Sequence, residues 1–281
     1  MKKWQKVLSI GVATAFLGAV TVGCGGGQNQ SNQSAPSGSG QNAAKGTLQA
    51  IKDRGKLVAG VKYDTNLFGL KDPQDNQVKG FDIDIAREVA KDILGDPNKI
   101  ELKEVTSKTR IPMLKNGDID MIVATMTITE DRKKEVDFSD VYFKAGQSLL
   151  VKKDSPIKGI QDLDGKTVIA VKGSTSTNNI RAKAPKANVT EYENYAEAFT
   201  ALKSGKGDAL TTDNAILLGM QQQDPNFKLV GGLFTDEPYG IAVRKGDKEM
   251  VDEVNKVLKK LHDSGDYDKI YEKWFKEKPQ Q

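Results

Sequence analysis

The sequence has little of the side-chain chemistry that many catalytic and metal sites use. Its 281 residues include one cysteine, Cys24, and one histidine, His262. A single cysteine excludes a disulfide within the chain, and the lone histidine falls in a predicted C-terminal helix, away from any candidate nucleophile. No cluster of histidine, cysteine and acidic residues has the spacing of metal ligands. We therefore expect no metal, no cofactor and no catalytic triad.

The sequence also lacks long apolar runs, except for one at the N-terminus. Residues 1–23 contain three lysines, no acid, and an apolar stretch that is short for a membrane span. This layout is typical of a secretory signal peptide. It ends at Cys24 in a pattern similar to a bacterial lipobox, although Thr21 stands where leucine is usual. We predict cleavage before Cys24 and lipidation of that cysteine. Cys24 and the Gly/Gln/Asn/Ser-rich segment that follows it, residues 24–46 in all, would form a flexible linker.

An excess of charge is likewise missing from the predicted mature chain. The full sequence has 42 basic and 38 acidic residues. Removing the three lysines of residues 1–23 leaves 39 basic residues against 38 acidic ones, a net charge of +1. This balance gives no support to nucleic-acid binding.

Two pairs of segments repeat along the chain. Residues 55–62 and 165–172 are identical at five of eight positions, and each reads as a buried strand after a polar turn. Residues 114–125 and 202–213 both read as a helix end, a glycine and a strand. Because the same order occurs twice, we predict two similar α/β lobes with largely parallel sheets.

Apolar residues at helical spacing predict the elements between these strands. Helices are expected over 82–94 with Gly95 as the stop, over 195–202, over 249–261, and near 267–275. In parallel sheets the ligand site lies at the carboxyl ends of the strands. Two such sheet edges facing each other would form a cleft. Here the predicted strand ends carry polar residues: Lys62, Thr125, Thr127, 172–176 and Asp213.

The stretch 124–132 predicts a site for a carboxylate. A hydrophobic strand ends at alternating threonines, and a charged helix start carrying Arg132 follows at once. Hydroxyls, free backbone N–H groups and a guanidinium then surround one point. The alternative is a solvated arginine in the first helical turn, with Thr129 serving as the helix cap. A cation is mildly unfavourable at a helix N-terminus, so a binding role is the better interpretation.

Several motifs together resemble the polar amino-acid binding proteins of bacterial ABC importers, solute-binding protein family 3. The likeness covers nearly all of residues 47–277 and is carried by 80–86, by Thr127-Ile-Thr-x-x-Arg132, by 137–139 and by 267–275. It implies a two-lobed periplasmic-binding-protein-like α/β fold of type II, with a ligand cleft between the lobes. Lobe 1 would comprise 47–143 and 240–281, lobe 2 would comprise 144–239, and two crossover hinge strands would lie near 142–147 and 237–241.

The resemblance also implies roles for individual residues. Arg132 would hold the ligand α-carboxylate with help from Thr127 and Thr125, and Asp213 would hold the α-ammonium. The turn of the second lobe would approach a carboxylate from the opposite side, through Lys172, Ser174, Thr175 and Ser176.

The resemblance implies that four positions set the side-chain specificity. Ser107 and Arg110 lie in a segment that resembles the acidic-amino-acid branch, and Tyr195 matches an aromatic residue that some aspartate binders use. Lys62 stands where glutamine binders typically have an acid. Arg132, Arg110 and Lys62 against Asp213 give the site a net charge of +2. An unpaired buried charge costs several kcal/mol, so an acidic ligand, glutamate or aspartate, is expected. If Lys62 and Arg110 both face solvent, glutamine fits instead.

The predicted function is therefore that of a monomeric, lipid-anchored receptor on the extracytoplasmic face of the cell membrane, as on a Gram-positive cell surface. It would deliver its amino acid to an ABC permease and its ATPase subunit, without nucleic acid as a partner. A dehydratase on the same fold is the less favoured alternative. The acid pairs Asp82/Asp84 and Asp118/Asp120 are expected to be helix caps and turn residues.

Overall fold

Two five-stranded mixed sheets organise the chain in a computed structural model that describes residues 46–279. The predicted signal peptide, the lipidation site Cys24 and the linker up to residue 45 lie outside the described residues. The strands of the first sheet are β1 Leu57–Val61, β5 Ile100–Glu104, β6 Met121–Ile122, β7 Val136–Ala145 and β13 Glu237–Arg244. Those of the second are β8 Gln147–Lys152, β9 Thr167–Val171, β10 Asn188–Tyr192, β11 Ala209–Asp213 and β12 Phe227–Val230. A small third sheet joins β2 Asp64–Thr65, β3 Gly69–Lys71 and β4 Val78–Lys79.

Helices cover and connect these sheets. They are α1 Thr47–Arg54, α2 Phe81–Leu94, α3 Arg110–Asn116, α4 Glu130–Lys133, α5 Thr175–Lys183, α6 Tyr195–Lys203, α7 Asn214–Gln223, α8 Lys248–Ser264 and α9 Asp266–Phe275. The four helices predicted from spacing are confirmed as α2, α6, α8 and α9, each within a few residues of its expected bounds. Gly95 ends α2 with a left-handed φ of 75°, as the stop signal indicated. Within the described part of the chain, every helix is too short or too polar to cross a membrane.

The two large sheets share one topology, which confirms the repeat. The first has the order β5-β1-β6-β13-β7 and the second the order β10-β9-β11-β8-β12. In each sheet the first three strands are parallel and the last two pair antiparallel. The expectation of largely parallel sheets therefore holds for three strands of five. Strands β8 and β13 enter directly from the other sheet, without the crossover helix that parallel pairing needs.

The chain passes between the sheets at two places. Gly146 alone separates β7 in the first sheet from β8 in the second, and 231–236 return the chain from β12 to β13. The first half of β13 lies beside 126–128, where Thr127 and Tyr239 form an isolated bridge. The exact lobe and hinge limits stay a prediction.

An aromatic cluster holds the crossing strands β7 and β13 against the first lobe. Phe143 stacks on Tyr239 at 5.5 Å between ring centroids and lies 5.3 Å from Phe275 of the last helix. The hydroxyl of Tyr267 donates a hydrogen bond to the carbonyl oxygen of Tyr142 at 2.6 Å. Through these contacts the C-terminal motif, residues 267–275, packs against the strands that lead into the cleft and holds them in place.

Gly80 sets the start of α2 through close packing. Its φ is 154°, and a Cβ at this position would lie 2.0 Å from the carbonyl oxygen of Phe68. We expect Gly80→Ala to lower the free energy of unfolding by about 3 kcal/mol or more, because backbone would have to move. Gly95→Ala, also at positive φ but with nothing within 4 Å, should cost only about 1 kcal/mol. Urea unfolding followed by circular dichroism measures both, and equal losses would contradict this role.

Candidate functional site

The carboxyl ends of β1 and β11, one strand from each large sheet, carry polar residues of the site. Lys62 follows β1 and Asp213 ends β11, so the repeat places them at equivalent edges. Direct hydrogen bonds join the two sides: the Tyr239 hydroxyl donates to Asp213 Oδ2 at 2.6 Å, and the Tyr195 amide donates to a carboxylate oxygen of Asp64 at 2.6 Å. The polar strand ends therefore form one buried group.

Lys62 lies fully inside this group. Its side chain is 0% exposed, its Nζ donates to Ser107 Oγ at 3.0 Å, and it lies 5.1 Å from the ring centroid of Tyr195. Burial lowers the pKa of Lys62 to about 7, against the opposing effect of the Asp64 charge. The alternative in which Lys62 points to solvent is wrong.

Arg110 is buried too, at the start of α3. Its Nη1 donates to the carbonyl oxygen of Ala124 at 2.6 Å and, more weakly, to that of Thr125 at 3.4 Å. Burial lowers the pKa of Arg110 to about 9, and the positive charge of Arg132 acts in the same direction. The solvent-facing alternative is wrong for Arg110 as well.

Arg132 joins the two lobes. Thr129 caps the short helix α4, accepting from the Arg132 amide at 3.2 Å, as predicted. The Arg132 guanidinium donates to the carbonyl oxygen of Thr127 at 2.7 Å and to that of Gly173 in the second lobe at 3.1 Å. It is therefore not a freely solvated first-turn arginine.

Asp213 is the acid at the end of β11. It is 4% exposed, and burial raises its pKa to about 7, although the hydrogen bond from Tyr239 opposes this shift. One of its oxygens is bonded to that hydroxyl. The other oxygen, Oδ1, has no hydrogen-bond partner among the described residues.

Four buried side-chain atoms in residues 46–279 lack a hydrogen-bond partner: Arg110 Nε, Thr125 Oγ1, Gln147 Oε1 and Asp213 Oδ1. A buried polar atom left unbonded costs about 1–3 kcal/mol, so native structures tend to satisfy such groups. Donors and acceptors are both present in this set. That combination suits a small polar ligand carrying a carboxylate and an ammonium group.

The predicted turn of the second lobe enters the site only in part. The hydroxyl of Thr175 donates to Glu237 at 2.8 Å, and Ser176 is buried with its hydroxyl 3.4 Å from that of Thr212. Ser174 donates to its own strand end, the Val171 carbonyl, at 2.7 Å. The side chain of Lys172 is instead paired with Glu193 in a half-exposed ion pair, so the structure does not bring its charge into the buried group.

Sequence reasoning missed Asp82. This residue is 0% exposed, accepts from the Thr125 amide at 3.0 Å, and accepts from the Tyr142 hydroxyl at 2.8 Å. The expectation that it caps a helix is wrong, because Gly80 occupies the N-cap and Asp82 is the second residue of α2, with its carboxylate bonded to Thr125 and Tyr142. The sequence offered one sign that Asp82 is buried, because it lies between the apolar residues Phe81 and Ile83.

Three further residues of the site were also missed: Gln147, Glu237 and Tyr239. All three lie at or near the ends of strands where the chain passes between the lobes. Glu237 is 3% exposed and accepts from Asn179 Nδ2 at 2.7 Å as well as from Thr175. Their position depends on the crossing of two strands, which no local pattern reveals.

These additions correct the charge count of the site. The cations remain the three expected from the sequence, Lys62, Arg110 and Arg132, but the carboxylates are now also three: Asp82, Asp213 and Glu237. With these three carboxylates the ionised group is neutral, and the half-buried Asp64, whose charge acts on Lys62, adds further negative charge, whereas the sequence alone indicated +2.

Residues 57–277 match the family described as bacterial extracellular solute-binding proteins, family 3. The chain belongs to this family. The resemblance drawn from the sequence motifs is thereby confirmed, and this solute-binding protein is an amino-acid binding component of an ABC transporter.

Named relatives are binding proteins of the same kind. The ABC transporter glutamine-binding protein GlnH of Bacillus subtilis (strain 168) is 61% identical over 276 residues, covering 98% of this chain and 99% of its own. The glutamine-binding protein of Geobacillus stearothermophilus is 68% identical over 207 residues, 73% of this chain and 79% of its own. The glutamate-binding protein GluB of Corynebacterium glutamicum is 34% identical over 270 residues, 92% of this chain and 86% of its own. This solute-binding protein is accordingly not an enzyme.

The fold is confirmed by a solved structure, an ancestral arginine-binding protein bound to glutamine. It matches with a TM-score of 0.75 and 47% sequence identity, and the match covers 80% of this chain and 99% of that structure's chain. The two-lobed α/β architecture with a cleft between the lobes is therefore shared.

The raised pKa of Asp213 makes a prediction about stability. Its folded value of about 7 lies above the ordinary 3.8, so the folded protein loses stability as the pH rises from about 4 to 7. Asp213→Asn keeps an oxygen for Tyr239 and removes the charge. In the absence of amino acids we expect it to raise the unfolding free energy at pH 8 by on the order of 3 kcal/mol.

Urea unfolding of the wild type and the variant at pH 4 and pH 8 measures this gain. It should nearly vanish at pH 4, where the carboxyl is protonated in the folded state and only about half ionised in the unfolded state. A gain of equal size at both pH values would show that the charge is not its cause.

Proposed function

We propose that this solute-binding protein binds glutamine outside the cytoplasm and delivers it to the permease of an ABC importer. The observation that carries the proposal is the balance of three cations and three carboxylates in the buried group. Glutamine is a zwitterion with a neutral side chain and preserves that balance, whereas glutamate adds one uncompensated charge. A buried charge without a partner costs several kcal/mol.

The balance is unchanged when a proton moves between Lys62 and Asp82. The pKa of Lys62 falls to about 7 and that of Asp82 rises to about 7, in each case mainly through burial. Whether both are ionised or both are neutral, the pair adds no net charge. Two arginines then face two carboxylates, those of Asp213 and Glu237. The names of the relatives at 61% and 68% identity, both glutamine-binding proteins, support the same ligand.

The unsatisfied atoms indicate how glutamine would be held. Asp213 Oδ1 would accept from the α-ammonium, and Arg132, with Thr127 beside it, would bind the α-carboxylate in charge-assisted hydrogen bonds. Arg110 Nε would donate to the side-chain amide oxygen. Thr125 Oγ1 would add a further hydrogen bond from the first lobe.

Closure of the lobes would accompany binding. Arg132 in the first lobe already bonds to Gly173 in the second, and Tyr239 bonds to Asp213 across the strands. A ligand that contacts both sides favours the closed state by its higher affinity for that state. The permease would then recognise the closed, loaded protein.

Attachment to the membrane is part of the proposal. The description of the family places its members outside the cell, and Cys24 follows a predicted signal peptide. Lipidation of Cys24, with the linker up to residue 46 as a tether, would keep the monomeric receptor near its permease and ATPase subunit.

Ligand identity is tested by isothermal titration calorimetry with glutamine, glutamate and aspartate. We expect glutamine to bind at least about tenfold more tightly than glutamate, because the site has no spare cation for a second carboxylate. Glutamate binding more tightly than glutamine would overturn the proposal in favour of an acidic-amino-acid receptor.

The role of Arg132 has its own test. Arg132→Ala should weaken every amino-acid ligand by more than about a hundredfold, because the shared α-carboxylate loses its partner. Lys133→Ala is the matched control: it lies in the same helix, and its ammonium is paired with Glu130 at the surface. Calorimetry should show the control unchanged, and retained affinity in the arginine variant would remove Arg132 from the site.

A further inference from the structure

Asp82 has a buried carboxylate whose position is fixed by two hydrogen bonds. It receives the Thr125 amide at 3.0 Å and the Tyr142 hydroxyl at 2.8 Å, and no part of it is exposed. Burial raises its pKa to about 7, while these two hydrogen bonds and the charges of Lys62 and Arg110 oppose the shift. The carboxylate therefore lies within electrostatic reach of two of the three cations.

Asp82 and Arg110 hold the same short stretch of backbone from two sides. Arg110 donates to the carbonyl oxygens of Ala124 and Thr125, and Asp82 accepts the Thr125 N–H. Thr125 has a φ of 46°, which is unfavourable for a β-branched residue. Its hydroxyl and Arg110 Nε are two of the atoms without a partner, so the Asp82 charge is held at a fixed place relative to both.

We infer that Asp82 is a specificity-determining residue that makes the site prefer a neutral amino-acid side chain to a carboxylate. It does so through its charge, not by touching the ligand. Without that charge the group carries one negative charge fewer at pH 8, so an acidic ligand side chain meets less repulsion. Charges interact over several ångströms in a poorly hydrated interior, so direct contact is not required. The inference rests on the proposed function, because it explains a preference for glutamine over glutamate.

Asp82→Asn removes the charge and keeps the shape. The amide oxygen accepts from the Thr125 N–H, and the amide nitrogen donates to the Tyr142 hydroxyl. Calorimetry at pH 8 is the test, since the wild-type carboxyl with its pKa of about 7 is then ionised. We expect the ratio of glutamate affinity to glutamine affinity to rise at least about tenfold over the wild type.

A pH profile separates this role from a purely structural one. Near pH 5 the wild-type carboxyl is protonated and resembles the amide, so variant and wild type should give the same ratio. A structural role would lower both affinities and leave the ratio unchanged at every pH, which would overturn the inference.

Asp120→Asn is the matched control. Asp120 is another buried acid of the first lobe, accepting from the Val58 amide at 2.8 Å and pairing with Arg54. It lies at the opposite end of β1 from Lys62. The control should lose stability without a change in the ratio of affinities, and a change equal to that of Asp82→Asn would also overturn the inference.

Tyr142→Phe provides a second variant should Asp82→Asn fail to fold. It removes a hydrogen bond that lowers the pKa of Asp82, so less of the carboxyl is ionised at pH 8. The glutamate-to-glutamine ratio should rise in the same direction by a smaller factor, and an unchanged ratio counts against Asp82. If the wild type prefers glutamate, the proposed glutamine ligand is refuted but the role of Asp82 is not. The change in the glutamate-to-glutamine affinity ratio between wild type and variant can still be measured and still tests that role.

Discussion

The structure depends on the pairing of charges that are withdrawn from water where two sheet edges meet. Burying one charged side chain without compensation would cost more than most single contacts contribute. The described site offsets this by placing the three cations on the first lobe, while Asp213 and Glu237 approach from the second lobe and the returning strand. Bringing the lobes together therefore brings opposite charges together. An amino acid, which carries both signs, fits between them without disturbing the balance.

The duplicated topology is what delivers these charges to one place. Each sheet has a central parallel strand, β1 or β9, and each places its polar residues at the carboxyl edge. The antiparallel strands β8 and β13 carry the chain from one sheet to the other. The aromatic cluster around Phe143, Tyr239 and Phe275 holds the crossing strands in the first lobe, so that Tyr239 reaches Asp213.

Ligand preference within such a scaffold is decided by few residues. A glutamine-binding and a glutamate-binding relative both match this chain over most of its length, so the fold itself does not select the side chain. The sequence count of charges favoured an acidic ligand because it included one carboxylate. The correction came from two buried acids: Glu237, and Asp82, which resembles a helix-cap residue in sequence but is buried beside Thr125. Buried charge must be counted in three dimensions before it predicts a ligand.

The sequence by itself determined the family, the two-lobed class, the four amphipathic helices and most of the polar strand ends, including Lys62, Arg110, Arg132 and Asp213. These follow from local periodicity, from glycine stops and from a repeat, all of which are written along the chain. Only the tertiary structure decided which of the charged residues meet. Lys172 turned outward to Glu193, whereas Asp82, Gln147 and Glu237 turned inward. The physical reason is that burial and charge pairing arise between residues far apart in sequence, once two strands have crossed between the lobes.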